Sequence, residues 1–183
     1  LLDLEALTGV VRCDVEARTA TVLPATRIHQ LGPTLRASGL ALSNQGDIDR
    51  QAIAGATATG THGTGATLRC LSAAVVGVRL ALADGPLLDV PQHSRPAPVQ
   101  APRRGLGSVG VVLALDLAVR EAYRLRERIW LEDLETTLDR VDERAAAHRH
   151  FELFWFPGRE KAVCKAIDET DDPAEYPLAG EGH

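Results

Sequence analysis

The sequence predicts an α+β fold, because hairpins of short strands recur along the chain and helices lie between them. Two observations support this prediction. β-branched and apolar residues gather in short runs bounded by turn residues, and in other stretches apolar residues recur at spacings of three and four. The chain has 183 residues, 45% of them hydrophobic, which is enough for about one domain and part of a second.

The first part of the chain predicts a hairpin followed by a helix. Residues 10–15 and 19–23 are β-prone and are separated by polar residues, which predicts two paired strands. Thr26 is the predicted N-cap of a helix that ends at Gly39. Pro33 inside this helix predicts either a kink or a later start.

The middle of the chain predicts a short helix and a second hairpin. Residues 51–57 are small and apolar, as in a short helix that lies close to other backbone. Residues 75–83 alternate between large apolar side chains and smaller or polar ones, which predicts a half-buried strand. Asp84 and Gly85 form the predicted turn, and residues 87–90 return as the pairing partner.

The last part predicts a strand, a helix and another strand. Residues 109–119 are apolar and β-branched, with Asp116 on the wetter side of the predicted strand. Residues 132–147 predict one amphipathic helix. Residues 151–156 predict a strand that contains most of the aromatic side chains. The apolar stripe predicted for the helix comprises Leu131, Leu134, Leu138, Val141 and Ala145.

The most informative segment is GDIDRQAIAGATATGTHGTG, which runs from Gly46 to Gly65. Its glycines and threonines leave almost no bulky side chains, so the backbone itself is expected to meet a ligand rich in oxygen. The alternative is a tightly turned loop that uses glycine and threonine for geometry alone.

This segment resembles the flavin-binding segment of the sugar-lactone (L-gulonolactone and D-arabinonolactone) and alditol oxidases. That family belongs to the vanillyl-alcohol-oxidase-like flavoproteins. The resemblance extends to four further stretches, so it covers nearly the whole chain. They are LLDLEALTGVVRCDVEARTATVLPATRIHQLGPTLRASGLAL before the segment, and VVGVRLALADG, GLGSVGVVLALDLAV and FELFWFP after it.

The resemblance implies part of a PCMH-type FAD-binding domain in residues 1–122 and the start of the family's C-terminal substrate domain in residues 123–183. It implies FAD as cofactor and a sugar lactone or alditol as substrate, oxidised at a CH–OH group. The electron acceptor would be oxygen or a cytochrome-like protein. The implied FAD-contacting residues are Asp47, Thr59, Gly60, Thr61, His62, Gly63, Thr64, Val111 and Val112.

Two of these implied contacts leave alternatives open. His62 either contacts FAD or is bound by backbone hydrogen bonds that shape the loop. Either Val111 or Val112 would touch FAD through its backbone, although a neighbouring residue could equally be the contact. Asp47 lies where related flavoproteins place a residue near the cofactor, whereas Asp49 is interpreted as a turn residue.

The chain also departs from the family. In the family, a Gly-rich turn that cradles the pyrophosphate lies upstream of Leu1, and the polar and charged residues that take part in substrate oxidation lie well beyond the FELFWFP stretch. No catalytic residue is therefore predicted. Because the sequence contains no Met, even at position 1, we expect the chain to be a fragment.

Three functions of different classes follow. The first is an FAD-dependent oxidoreductase, the second a truncated and catalytically inactive remnant of one, and the third a protein-interaction module built on the helix predicted at residues 132–147. Residues 91–104 are rich in Pro, Gln, His and Arg where the family has an acidic and aromatic stretch. For this segment the hypothesis is a compensated reading-frame change or a decayed gene.

Several other functions lack support. Residues 105–110 spell GxGxxG, but a proline-rich segment precedes them and a predicted strand follows, whereas dinucleotide binding requires a strand and then a helix. His148 and His150 have no third ligand, and the three cysteines are far apart, so no metal site or disulfide is predicted. No hydrolase motif is present.

Charge and hydropathy also bear on partners and location. The net charge of −5 and the lack of a basic cluster disfavour nucleic acid and anionic membranes as partners. No apolar run is long enough for a transmembrane helix. We therefore expect a cytoplasmic location, with peripheral membrane association left open.

Overall fold

The computed structural model describes residues 2–90, 105 and 107–174. Within it the chain divides into two compact units. The first comprises residues 1–63 with 69–122, and the second comprises residues 64–68 with 123–183. The atypical segment 91–104 lies outside the described residues.

The first unit is built on antiparallel strands. They are β1 (Val10–Asp14), β2 (Thr19–Val22), β3 (Leu40–Ala41), β4 (Val75–Ala81), β5 (Leu87–Val90), β6 (Val111–Ala118) and β7 (Arg120–Glu121). Five of these form one sheet in the order β1-β2-β6-β4-β5, and β3 pairs separately with β7. Both predicted hairpins are present, β1 with β2 and β4 with β5.

The described residues of the first unit also contain three helices: α1 (Ile28–Ala37), α2 (Ile53–Ala58) and α3 (Leu71–Ala74). Ile28, Leu31 and Leu35 of α1 are all buried, as their helical spacing predicts. They join a single apolar core with sheet residues such as Val22 and Leu117. Hydrophobic burial of this one-sided pattern is what orders the unit.

The predicted N-cap of α1 is wrong by one residue. Arg27 occupies the cap, and its N–H donates to Gln30 Oε1 at 2.8 Å. Thr26 is buried and its hydroxyl instead donates to Leu23 O at 2.7 Å while accepting from Gly9 N–H at 2.8 Å. The hydroxyl therefore stabilises the turn before the helix and does not cap the helix. The helix starts at Ile28 despite Pro33, so the later start does not occur.

The alternation predicted for residues 75–83 is only partly seen. Val78 and Leu80 are buried and Arg79 is exposed, but Val75 and Gly77 are both buried. The register of β4 against β6 shifts between Val75 and Gly77, and this irregularity breaks the period of two.

The second unit, as far as residue 174, contains a three-stranded antiparallel sheet and two short helices. The strands are β8 (Arg124–Asp133), β9 (His150–Trp155) and β10 (Lys161–Thr170), and the helices are α4 (Leu134–Asp139) and α5 (Val141–Ala147). The order is β8-β10-β9, so β10 is central. Ala162, Cys164 and Ala166 of β10 are fully buried. The strand predicted at residues 151–156 is confirmed as β9.

The prediction of a single helix at residues 132–147 is wrong. Glu132 still belongs to β8, opposite Ala162, and Asp133 caps α4 by accepting the Thr136 N–H at 3.1 Å. A break at Arg140 then separates α4 from α5. Two members of the predicted stripe are largely exposed, Leu131 at 67% and Leu138 at 53%, so the spacing of three and four did not mark one buried helix face.

Candidate functional site

The loop that resembles a flavin-binding segment begins where α2 ends. Gly60 has φ +73°, and its N–H donates to Thr57 O at 3.2 Å, while the Thr61 N–H donates to Ala56 O at 2.9 Å. This pair of bonds is a Schellman motif with glycine at C′. The N–H groups of Gly60 and Thr61 thus satisfy carbonyls of α2. Any contact of these two residues with a ligand would have to use other atoms.

The threonine hydroxyls of this loop form a short row. Thr59 Oγ1 donates to Gly55 O at 3.0 Å and lies 3.4 Å from Thr61 Oγ1. Thr61 Oγ1 in turn lies 3.3 Å from Gln51 Oε1, to which it donates. Each hydroxyl proton therefore has an acceptor within the chain, and the oxygens retain capacity to accept.

His62 and Gly63 form the next part of the loop. Unlike the N–H groups of Gly60 and Thr61, their N–H groups do not bind carbonyls of α2. Among the described residues, the N–H groups of His62 and Gly63 make no hydrogen bond. The His62 side chain is exposed, and its Nδ1 lies 3.0 Å from Gly63 O. Two consecutive amides that the chain itself does not use are the donor set that an anionic or carbonyl-rich ligand needs.

Gly63 is required by packing inside the first unit. A Cβ at this position would overlap the Gln45 carbonyl oxygen and would lie 2.8 Å from Asn44 Oδ1. Gly46 faces the same loop, since a Cβ there would lie 3.0 Å from Thr61 Cγ2. The residues before Asp47 therefore lie directly against residues 61–63. Asp47 itself is exposed.

Val111 and Val112 lie at the start of β6, where the sheet has an open edge. They pair with Ala81 and Leu80 of β4. β2 pairs with β6 only from Leu115 onward, so among the described residues positions 111–114 have a strand neighbour on one side only. Backbone groups at an unpaired edge are available to a ligand. No hydrogen bond within the described residues joins this edge to the glycine–threonine loop.

The GxGxxG sequence leads into this same strand. Residues 107–109 form a turn, Gly110 has φ +137°, and β6 follows directly. A strand rather than a helix after the motif confirms that it is not a dinucleotide fingerprint, because that motif presents a helix N-terminus to the pyrophosphate.

Thr64 belongs to the second unit and is bound there by His150. The Nδ1 atom of His150 lies 3.1 Å from Thr64 O and 3.2 Å from Thr64 Oγ1. His150 is 9% exposed. Burial, the largest cause, together with the charge of nearby Arg149, lowers the pKa of His150. His148 turns elsewhere, with Nδ1 2.8 Å from Asp168 Oδ2, so the HxH pair does not converge.

The structure also contains a partly buried ion pair that the sequence did not indicate. Arg144 binds both carboxylate oxygens of Glu132, with NH2 to Oε1 at 2.6 Å. Thr137 donates to the same carboxylate at 3.0 Å, and the guanidinium lies 5.6 Å from the Trp130 ring centroid. The hydrogen bond from Arg144 is the main cause that lowers the pKa of Glu132. The spacing of Glu132 and Arg144 carried no signal, because one residue is on a strand and the other on a helix.

Two further features of the described residues concern partners. No cluster of three or more His, Cys, Asp or Glu side chains that could hold a metal ion occurs in residues 2–90, 105 and 107–174. Over the same ranges, no helix is both long enough and apolar enough to cross a membrane.

Solved structures define the class of fold. Cholesterol oxidase from B. sterolicum superposes with a TM-score of 0.80 at 17% identity, over 91% of this chain and 35% of that chain. An alkyldihydroxyacetonephosphate synthase gives a TM-score of 0.79 at 12% identity, over 91% of this chain and 37% of that chain. At such identities the likeness concerns the fold alone. The α+β prediction is confirmed, and the fold is that of PCMH-type FAD-binding oxidases.

Sequence comparison narrows the class to a family. Residues 1–91 match the family model described as FAD binding domain, and residues 115–181 match the model described as D-arabinono-1,4-lactone oxidase. Over most of its length the chain is thus similar to the FAD-linked aldonolactone oxidases, as its glycine–threonine segment and flanks predicted.

Three relatives illustrate the match. L-gulono-1,4-lactone dehydrogenase of Mycobacterium tuberculosis is 36% identical over 94% of this chain and 40% of its own length. L-gulonolactone oxidase of Bos taurus is 30% identical, over 94% of this chain and 39% of its own length. D-arabinono-1,4-lactone oxidase of Yarrowia lipolytica is also 30% identical, over 86% of this chain and 30% of its own length. The chain thus spans less than half the length of each of these relatives.

Proposed function

We propose that this chain is the FAD-holding part of an oxidoreductase that acts on CH–OH groups of a sugar lactone or an alditol. One observation carries the proposal most directly. The two family matches follow each other along the chain, first an FAD binding domain and then a lactone oxidase. The relatives' names contain the same combination of a lactone substrate and an oxidation.

The donor chemistry of the glycine–threonine loop fits FAD. His62 and Gly63 provide two consecutive N–H groups that no described residue uses. Such groups suit the pyrophosphate or the flavin carbonyls, because both are rich in acceptor oxygens. The hydroxyl oxygens of Thr59 and Thr61 lie 3.4 Å apart and can accept from ribityl or ribose hydroxyls.

The roles within this site differ from residue to residue. Gly60 and Thr61 would fix the conformation of the loop where it leaves α2, because their N–H groups bind the last carbonyls of that helix. Val111 or Val112 would present backbone to the cofactor at the open edge of β6. Asp47 follows the segment that lies against residues 61–63 and would border the same region. Thr64 would contribute from the end of the loop.

When bound, FAD supplies the hydride acceptor, since the isoalloxazine ring carries the redox chemistry. The residues of this chain bind and orient the cofactor and keep its polar groups hydrogen-bonded. We propose that residues 1–122 perform this task and that residues 123–183 begin the substrate-binding domain. The electrons would pass to oxygen or to a cytochrome-like acceptor.

Reconstitution with FAD tests the proposal. The purified chain is mixed with excess FAD and passed over a gel-filtration column, and the visible spectrum of the protein peak is recorded. We expect a retained flavin spectrum near stoichiometric occupancy. A colourless but cooperatively folded protein would instead favour the inactive remnant or the interaction module.

A further inference from the structure

The end of the glycine–threonine loop is fastened to the start of β9 by a side chain. His150 Nδ1 lies within hydrogen-bond distance of both oxygens of Thr64, at 3.1 Å from the carbonyl and 3.2 Å from the hydroxyl. In one tautomer the ring N–H donates to the carbonyl, and in the other the ring nitrogen accepts from the hydroxyl. A neutral imidazole can therefore bind Thr64 in either tautomer.

A second contact, at the next residue, acts at the same place. Gly65 has φ +105°, and a Cβ there would lie 2.6 Å from Arg149 O. Only glycine lets the loop approach the backbone of Arg149 this closely. Thr64 thus contacts His150, and Gly65 contacts Arg149, the residue just before β9. Residues 64–68 all belong to the second unit.

We propose that His150 is a positioning residue for the flavin loop, acting through Thr64 rather than by touching the cofactor. Thr64 follows Gly63 directly in the chain, so a fixed Thr64 restricts the backbone angles available to Gly63. The consecutive N–H groups of His62 and Gly63 are then preorganised before a ligand arrives, which lowers the entropy cost of binding. This inference rests on the proposed function only for the identity of the ligand.

The surroundings of His150 favour its neutral form. Arg149 next to it in sequence is cationic, Glu152 lies two residues along β9, and Asp168 lies on β10. Residues 64–68 add no ionisable side chain. Protonation would place a second positive charge beside Arg149 in a largely buried position, which weakens the packing on which the loop rests.

The experiment measures amide hydrogen exchange of residues 61–68 in the chain without FAD, by mass spectrometry. Thr64→Val keeps the shape of the side chain but removes the hydroxyl, and Thr67→Val is its matched control, because Thr67 is exposed and its hydroxyl has no partner among the described residues. His150→Phe removes the ring nitrogen, and His150→Asn keeps a polar atom at the place of Nδ1 without a titratable proton. FAD affinity is then measured for the same variants.

We expect roughly three- to tenfold faster exchange in His150→Phe, the effect of one lost hydrogen bond, and a smaller increase in Thr64→Val, which keeps the contact of the imidazole with the Thr64 carbonyl. Thr67→Val and His150→Asn should stay near wild type. In the wild type, protection corrected for intrinsic exchange should fall as the pH is lowered through the depressed pKa of His150, and His150→Asn should lose this pH dependence. FAD affinity should fall in the order of the exchange rates.

Other outcomes separate the two proposals. Unchanged exchange in His150→Phe would overturn the positioning role, and so would an effect of Thr67→Val as large as that of His150→Phe. If His150→Phe does not fold, the Thr64→Val and His150→Asn results decide alone. A wild-type chain that binds no FAD but shows the expected exchange pattern would overturn the proposed function and leave the positioning role supported.

Discussion

Substitution of Gly63 by alanine is the most discriminating change in the loop. The added Cβ would overlap the Gln45 carbonyl oxygen and lie 2.8 Å from Asn44 Oδ1. The first of these neighbours is a backbone atom, so it cannot rotate away as the end of a flexible side chain would. One of the two segments must move, and overpacking of this kind typically costs about 1–3 kcal/mol.

The expected result has two parts. The free energy of unfolding should fall by about 1–3 kcal/mol in urea titrations. If the loop moves, FAD affinity should fall about tenfold for each 1.4 kcal/mol by which the binding geometry is disfavoured. Both effects share one steric cause, so they should appear together.

Gly55→Ala is the matched control for this change. Gly55 lies in α2 and does not have a positive φ, and a Cβ added there would have no neighbouring atom within 4 Å. Alanine at a helical site of this kind should stabilise by roughly 0.5–1 kcal/mol and leave FAD binding unchanged. A Gly63→Ala protein as stable and as tightly FAD-binding as Gly55→Ala would refute the packing argument.

Three further predictions follow from the same structure. Gly60→Ala should lower the free energy of unfolding by about 1 kcal/mol in urea titrations, because φ +73° strains an L side chain although no atom obstructs it; a neutral result would contradict the Schellman assignment. Because Arg144 lowers the pKa of Glu132 in the folded state, the stability that this carboxylate contributes is present above the ordinary glutamate pKa and is lost as pH falls through the lowered one. Glu132→Gln should therefore reduce thermal stability at neutral pH and flatten its loss in acid, and parallel melting curves across pH would count against the ion pair. Finally, millimolar NADH should leave the melting temperature unchanged, because β6 rather than a helix follows Gly110. A saturable rise in melting temperature would instead support dinucleotide binding at residues 105–110.

What could be predicted from the sequence depended on how local the signal was. The pairs β1 with β2 and β4 with β5 have short connections and turn residues, so they were visible in residues 10–23 and 75–90. The strand β8 was missed because its first residues, RLRER, are mostly charged and all exposed, so they show no apolar face. Its pairing with β10 along ten residues stabilises it, and that partner lies far away in sequence.

The site shows the same limit at the level of single atoms. The order of glycines and threonines from Gly46 to Gly65 was enough to predict the family, which the comparisons confirm. The order of residues could not distinguish glycines that have different structural roles. Gly60 ends a helix and Gly63 lies against the backbone of Gln45, and neither partner is visible in the pattern itself. The partner of Thr64 is His150, 86 positions away, which no local motif could indicate.

FAD binding by this chain is tested most directly by a fluorescence titration of FAD with the protein, in parallel with Gly63→Ala and Gly55→Ala. We expect saturable binding by the wild type and by Gly55→Ala, with affinity weaker by about tenfold or more in Gly63→Ala. Absence of saturable FAD binding by a cooperatively folded wild-type chain would contradict it.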